Sequence, residues 1–462
     1  MRVLFIYPDI CSVKGSFYHG IGYISAVLKK HGHETNLIHI TEIPKKEDIT
    51  KKIKDFNPAI IGFTSTTNQF QFVDQVAEWV KQDFNIPIIC GGIHTTMDPD
   101  SVISNKNIDM ICIGEGEYAM LELMNAIEEN KSYDKIQNLW IKQGSKIKKN
   151  TIRPLIKNLE SLPHADRDVF NFSSLLEESK RADVIIGRGC PFACSYCLNH
   201  KIKEIYKGKG EFVRIRPVND IISEIRDLVK KYEIDIINFV DDTCTLDSGW
   251  VKQFCEKYSK EFSIPFEMNM RVETVNKEML QLLKNAGCRE ARFGIESGSE
   301  WLRKNILKRY MSNEKIIQAF QDARDAGMKT YSYNMVGMPF ETPEMCQETV
   351  EINRKIKPDY IQVSVFYPYP GTELYNICRE NNFLTKENDK ITGYFETESV
   401  LNLPTLSKKQ IKNFWTEIDC IVFENTLEKD YRKLKPLYRI SSKILGKRKS
   451  KALFTWIKKR VA

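Results

Sequence analysis

The stretch Gly187-Arg188-Gly189-Cys190-Pro191-Phe192-Ala193-Cys194-Ser195-Tyr196-Cys197 sets three cysteines in the spacing C-x3-C-x2-C, directly after the β-branched run Val184 to Gly187. One loop thereby gathers three soft thiolates, a donor set suited to iron-sulfur ligation. Three thiolates leave one iron of a cubane cluster without a protein ligand. An open iron can bind a small molecule rather than only carry electrons. The same residues also read as tetrahedral zinc held by Cys190, Cys194, Cys197 and His200. The two readings differ in their surroundings, because structural zinc needs no cavity and a reactive cofactor needs an enclosed one.

Outward from this loop, a strand-helix series begins at Asp183. Predicted strands are Val184–Gly187, Ile234–Val240, Phe266–Met270, Glu290–Gly294, Thr330–Met335 and Tyr360–Val365, with helical intervals between them. Six strands separated by helices fit an open, partial barrel better than a flat doubly wound sheet. Chemistry in such a fold collects at the carboxyl ends of the strands. Those ends carry Asp241 and Asp242 after the second strand, Glu296 and Ser297 after the fourth, and Gly337 and Pro339 after the fifth. Helix capping or solvent exposure is the plainer role for the acids, and a surface salt bridge is the plainer role for Arg309.

The first 130 residues alternate short apolar runs with helical patterns: strands at Val3–Tyr7, Thr35–Ile40, Ala59–Phe63, Ile86–Cys90 and Met110–Ile113. This predicts a parallel α/β sheet whose ligand loops are Thr64-Ser65-Thr66, Gly91-Gly92-Ile93-His94-Thr95 and Gly114-Glu115-Gly116-Glu117. No G-x-G-x-x-G follows the first strand, and the nearest pattern, Gly15 to Gly22, has the wrong spacing for a nicotinamide site. The expected division is an α/β domain over 1–135, a connector over 136–182 with a hairpin-like stretch Ile141 to Ile152, a partial barrel over 183–367, and a mainly helical region over 368–462 that includes Lys408 to Glu428.

The cysteine loop, with Phe239-Val240-Asp241-Asp242-Thr243, Phe293-Gly294-Ile295-Glu296-Ser297-Gly298-Ser299 and Val336-Gly337-Met338-Pro339-Phe340-Glu341-Thr342, resembles the radical S-adenosylmethionine (SAM) superfamily. The N-terminal part, through Gly91-Gly92-Ile93-His94 and Gly114-Glu115-Gly116-Glu117, is similar to the Rossmann-like cobalamin-binding domain of the class that includes carbon and phosphorus methylases and the anaerobic magnesium-protoporphyrin ester cyclase. The resemblance implies a [4Fe-4S] cluster on Cys190, Cys194 and Cys197, with SAM chelating the fourth iron and yielding a 5′-deoxyadenosyl radical on reduction. By their places at the strand ends, Asp241 and Asp242, with Asp242 the stronger choice, would orient the SAM ammonium or the substrate, Glu296 would meet the ribose hydroxyls, Arg188 and Arg309 would balance the SAM carboxylate, and Gly337, Pro339, Glu341 and Thr342 would shape the nucleoside pocket, with Tyr196 and Ser297 as further cofactor-binding candidates. A corrin would lie against Thr64, Ser65, Thr66, Gly91, Gly92, His94, Thr95, Gly114, Glu115, Gly116 and Glu117. The D-x-H-x-x-G signature of cobalamin mutases is absent, so His94 is read as a helix cap, a corrin-edge contact or a core hydrogen bond rather than a cobalt ligand.

The leading expectation is a cobalamin-dependent methyltransferase acting on an unactivated carbon of a small-molecule or lipid substrate, supplied by an external electron donor such as flavodoxin or ferredoxin. Oxidative cyclisation or rearrangement with the same cofactors is the enzyme alternative. A zinc-stabilised protein that binds nucleic acid or membrane is the non-enzyme alternative. Of 462 residues, 42% are hydrophobic and 28% charged, which excludes a disordered chain. No secretory signal pattern or run long enough to cross ~30 Å of hydrocarbon is present, pointing to a cytoplasmic protein. The net charge of +8 is concentrated: residues 431–462 hold 12 Lys/Arg and no Asp/Glu, leaving residues 1–430 at −4. That basic tail suggests peripheral contact with the inner face of a membrane. Nucleic acid is a weaker expectation, because no zinc-finger or RNA-binding sheet motif accompanies the charge.

Overall fold

A computed structural model describes residues 1–10, 17–177, 179–385, 398–430 and 434–461. Gly15 therefore lies outside the described residues, as do Tyr431, Arg432, Lys433 and Ala462 of the basic tail.

The N-terminal sheet contains β1 (Arg2–Pro8), β2 (Glu34–Ile40), β3 (Ile60–Thr64), β4 (Ile88–Gly91), β5 (Met110–Cys112), β6 (Leu139–Gln143) and β7 (Lys146–Lys149), in the order β2-β1-β3-β4-β5-β6-β7. The first five pair in parallel, with Val3 opposite both Thr35 and Ile60. Both faces of β1 and β3 are buried, as parallel strands flanked by helices require. Leu4, Ile6, Ile61 and Phe63 pack on one side. Val3, Phe5, Ile60 and Ile89 face the other side and join a core that continues into the second sheet.

The hairpin expected within a connector belongs to the first sheet instead: β6 pairs antiparallel with β5, Ile141 opposite Met110. Leu139 and Ile141 are the reason, since both are buried in the core shared with β5. The rest of the stretch is also packed, with Leu159, Leu162, Phe170, Phe172 and Leu176 buried between the sheets.

The second sheet contains β8 (Arg181–Val184), a short ribbon of β9 (Gly187–Arg188) and β10 (Arg214–Ile215) stands beside it, and β11 (Ile236–Phe239), β12 (Phe266–Met270), β13 (Cys288–Glu296), β14 (Lys329–Val336) and β15 (Tyr360–Val365) complete it. The order is β15-β14-β13-β12-β11-β8, every neighbour parallel, which is the partial barrel expected. Alternation sorts the two faces. Val184, Phe239, Met268 and Phe293 pack toward the helices, while Asp183, Asn238, Glu267 and Arg292 form a buried polar network across the strands. Trp415 of the Lys408–Asp430 helix donates its Nε1–H to the Val363 carbonyl at 2.8 Å, closing that helix over β15. Helices Lys435–Leu445 and Lys447–Val461 follow. Among the described residues, no helix is long and apolar enough to cross a membrane.

Candidate functional site

The cysteine loop is fixed by its own backbone. The Ser195 N–H donates to the Leu307 carbonyl at 3.2 Å, its hydroxyl donates to the Ile306 carbonyl at 2.5 Å, and its carbonyl accepts from the Leu374 N–H at 3.1 Å. Gly189 has φ +86°, and a Cβ there would strike the Phe212 carbonyl of the neighbouring ribbon segment, so glycine is required. Cys190 and Cys194 are buried and Cys197 is half-buried at the N-terminus of the Leu198–Ile205 helix. Burial raises the Cys190 thiol and pushes Cys197 up to about 11. Soft-metal ligation would remove the thiol protons that this burial otherwise retains.

Two guanidinium groups face Cys194. Arg271 Nη1 lies 3.4 Å from its Sγ and Arg309 Nη1 lies 3.8 Å away. Arg271 stacks over Phe192 at 3.8 Å and pairs with Glu273 at 2.6 Å. The Nε atoms of Arg271 and Arg309 are buried without hydrogen-bond partners, leaving donor capacity for an anionic group. Arg271 was not singled out by sequence reading. Its position just beyond Met270 at the end of β12 is the signal that could have found it.

Arg309 also donates to Tyr196 Oη at 3.1 Å and to the Gly294 carbonyl, and its Nη1 lies 3.9 Å from Glu296 Oε1. Thus Tyr196, Glu296 and Arg309 do meet beside Cys194. Burial raises the Glu296 carboxyl against the opposing pull of Arg309, and burial also raises Tyr196. Asp242 meets the loop near Cys197. Its Oδ2 accepts from Asn199 Nδ2 at 2.6 Å, and the same Nδ2 lies 3.6 Å from Cys197 Sγ. Asn199 is a further contact that the sequence reading missed.

Several expected contacts serve the fold instead. Asp241 accepts the Ile186 and Gly187 N–H groups, each at 2.7 Å, and so braces the entry to the loop rather than standing free for an ammonium. Its burial pushes the carboxyl up to about 7. The Ser297 hydroxyl accepts from the Ser299 N–H at 3.1 Å and contacts Thr349 Oγ1 at 3.3 Å, closing a turn. Gly337 donates its N–H to Glu341 Oε2 at 2.6 Å, and buried Pro339 belongs to that turn.

At the carboxyl edge of the first sheet lies a cavity of about 250 Å³. Thr64, Gly91, Gly92, Gly114, Glu115, Gly116 and Glu117 line it together with Ile185 and Arg188, which lead into the cysteine loop. Gly114 has φ +77°, and a Cβ there would collide with the Tyr206 hydroxyl. An adjoining cavity of about 280 Å³ extends from the shared residues Tyr18, Gly92, Gly114 and Arg188 toward Asn199 and Tyr206. The walls of both cavities are edged by glycines and largely apolar.

Arg188 is committed to this junction. Its Nη1 donates to Glu115 at 2.9 Å and its Nη2 donates to Glu117 at 2.6 Å. Glu115 also receives Arg214 at 2.8 Å and the Ile156 N–H at 2.8 Å. Burial pushes the Glu115 carboxyl up, but Arg188 and Arg214 outweigh it and hold it below its ordinary range. The expectation that Arg188 balances a SAM carboxylate is therefore corrected: its charge is already matched by two carboxylates.

Ser65, Thr66, His94 and Thr95 do not line either cavity. The Ser65 carbonyl accepts from the His94 N–H at 3.2 Å, and Thr95 Oγ1 donates to the Gly91 carbonyl at 3.0 Å. The Thr66 N–H donates to Gln69 Oε1 at 2.9 Å, capping a short turn. His94 packs on Phe70, ring centres 4.6 Å apart, and burial lowers its pKa, so it is a neutral core imidazole. His200, the fourth ligand of the zinc reading, places its Nε2 3.3 Å from Glu204. Among the described residues, no three His, Cys, Asp or Glu side chains are gathered to hold a single metal ion.

The radical SAM superfamily model matches residues 184–352, and the B12 binding domain model matches residues 15–124. An uncharacterized methyltransferase of Pyrococcus horikoshii is 29% identical over 397 residues, covering 85% of this chain and 84% of that one. The anaerobic magnesium-protoporphyrin IX monomethyl ester cyclase of Rubrivivax gelatinosus is 27% identical over 397 residues, covering 81% and 69% respectively. Among solved structures, the radical S-adenosylmethionine methyltransferase TsrM from Kitasatospora setae, with cobalamin and a [4Fe-4S] cluster bound, superposes with a TM-score of 0.69 at 16% identity. That match covers 82% of this chain and 75% of the other.

Proposed function

We propose, from the matches to the radical SAM superfamily model and the B12 binding domain model, that this chain is a cobalamin-dependent radical SAM methyltransferase acting on an unactivated carbon of a small-molecule substrate. The observation that carries this reading is the junction at Arg188. This residue lines the cavity of the first sheet and stands two positions before Cys190, so the two candidate cofactor sites adjoin along the chain.

When bound, a [4Fe-4S] cluster with SAM would supply radical generation and cobalamin would supply methyl-group carriage. Cys190, Cys194 and Cys197 are the proposed cluster ligands. Arg271 and Arg309 offset negative charge at the Cys194 sulfur, and their unpartnered Nε–H groups remain available to an anionic neighbour. Glu296 is placed to accept hydrogen bonds from a diol, held at its angle by Arg309. Asp242 with Asn199 orients the loop near Cys197 and is the better candidate than Asp241 for an ammonium group. Phe5, Ile24, Ile89 and Met120 make the wall of the first cavity apolar. The electron is proposed to come from a small external one-electron donor.

Anaerobic reconstitution followed by incubation with methyl-labelled SAM, a reductant and cell extract tests the reading. Label is expected in a small-molecule product, and Cys194→Ala should abolish both labelling and SAM cleavage. SAM cleavage with an unlabelled, cyclised or rearranged product would overturn the methyl-transfer assignment.

A further inference from the structure

Ten large hydrophobic side chains are exposed among the described residues, and five of them, Leu437, Ile440, Ile444, Leu445 and Leu453, lie on the last two helices. Leu437, Ile440 and Ile444 recur at i, i+3 and i+7, the spacing of one helix face, and are 57%, 57% and 74% exposed. Tyr438 on the same Lys435–Leu445 helix is buried against Phe423 and Phe454. The helix is thus docked on the protein by one side while a second apolar side faces solvent.

The charge carried by the last two helices is of one sign. Residues 434–461 hold ten Lys/Arg and no Asp/Glu. Lys447 pairs with Glu424 at 3.0 Å and Lys451 pairs with Asp419 at 2.7 Å, fastening the hairpin to the Lys408–Asp430 helix. Arg448 and Lys449 remain exposed. A second copy docking on this face would oppose like charges. Nucleic acid would answer the charge but leave three aliphatic side chains in water. A surface of anionic headgroups over acyl chains answers both.

We propose that the Lys435–Leu445 helix is an interfacial membrane-docking element, with Leu437, Ile440 and Ile444 entering the acyl boundary of an anionic bilayer and the terminal positive charge meeting its phosphates. The full chain should co-sediment with vesicles containing phosphatidylserine and about tenfold less with phosphatidylcholine alone, and high salt should weaken the binding. The triple variant Leu437→Ser, Ile440→Ser, Ile444→Ser should lower partitioning about tenfold without moving the thermal midpoint. Ile444→Trp provides a readout that does not depend on loss of binding, because its emission should shift to the blue on anionic vesicles. Undiminished binding of the triple variant, or no emission shift in Ile444→Trp, would overturn the proposal. So would a wild-type dimer that the triple variant makes monomeric, or selective loss of oligonucleotide binding in a protein that ignores vesicles.

Discussion

Replacing Arg188 by methionine tests whether the junction between the two sheets is an electrostatic clamp. Arg188 reaches Glu115 at 2.9 Å and Glu117 at 2.6 Å, and the Glu117 side chain is only 5% exposed. Glu115 would keep Arg214 and the Ile156 N–H, whereas Glu117, whose Oε2 already lacks a partner, would be left as a buried carboxylate. Opposite charges about 4 Å apart at an effective dielectric near 20 attract by about 4 kcal/mol. Breaking such a buried pair from one side costs about 3–5 kcal/mol. The single variant should therefore lose about 3–5 kcal/mol, a large part of the 5–15 kcal/mol typical of a folded chain. Glu117→Gln in the wild-type background should cost less, because Arg188 keeps Glu115. The double variant should fall short of the sum by about 2–3 kcal/mol. Urea unfolding of the cofactor-free protein, followed by tryptophan fluorescence and circular dichroism with coincident curves, measures all three values. A loss under about 1 kcal/mol for Arg188→Met, or strict additivity in the double variant, would refute the clamp.

Glu341→Gln should remove a pH dependence. Burial pushes this carboxyl up to about 7 while its Oε2 accepts the Gly337 and Met338 N–H groups, bonds that the glutamine oxygen can retain. Between ~4.3 and about 7 the folded state holds the proton that the unfolded chain releases, so wild-type stability falls as pH rises through that window. Thermal midpoints at both ends should show the glutamine variant gaining on wild type toward high pH, by on the order of 3 kcal/mol. Arg271→Gln removes a positive charge beside Cys194 and should lower the reduction potential of a reconstituted cluster by on the order of 100 mV, read by redox titration with an optical or paramagnetic signal. Gly114→Ala forces a side chain into a left-handed position against Tyr206 and should weaken cobalamin retention about tenfold, with Tyr206→Phe restoring part of it in an equilibrium-dialysis assay.

The alternation of short β-branched runs with helical patterns made both sheets legible, because parallel strands flanked by helices leave a continuous hydrophobic signature. The β6–β7 hairpin was visible as a hairpin but not as part of the first sheet; its lysine-rich strands hide that only Leu139 and Ile141 need burial. At the site, residues tied to chain-local geometry were readable: the three cysteines on one loop, and the glycines at the strand ends. Charge pairing was not. Arg188 belongs with Glu115 and Glu117, more than seventy positions earlier in the chain. Arg271 reaches Cys194 from a different strand. Asp241 and Asp242 are adjacent in sequence yet split their duties, one bracing backbone amides and the other meeting Asn199. Only the fold brings these distant groups together.

The proposed chemistry requires that Cys190, Cys194 and Cys197 hold a cluster with one iron open to SAM. Electron paramagnetic resonance of the anaerobically reconstituted and reduced protein, recorded before and after SAM is added, tests this most directly. A reduced four-iron signal that changes on SAM addition in wild type, and is absent in Cys194→Ala, is the expected result. A protein that takes up one zinc and no iron, or a cluster signal indifferent to SAM, would contradict it.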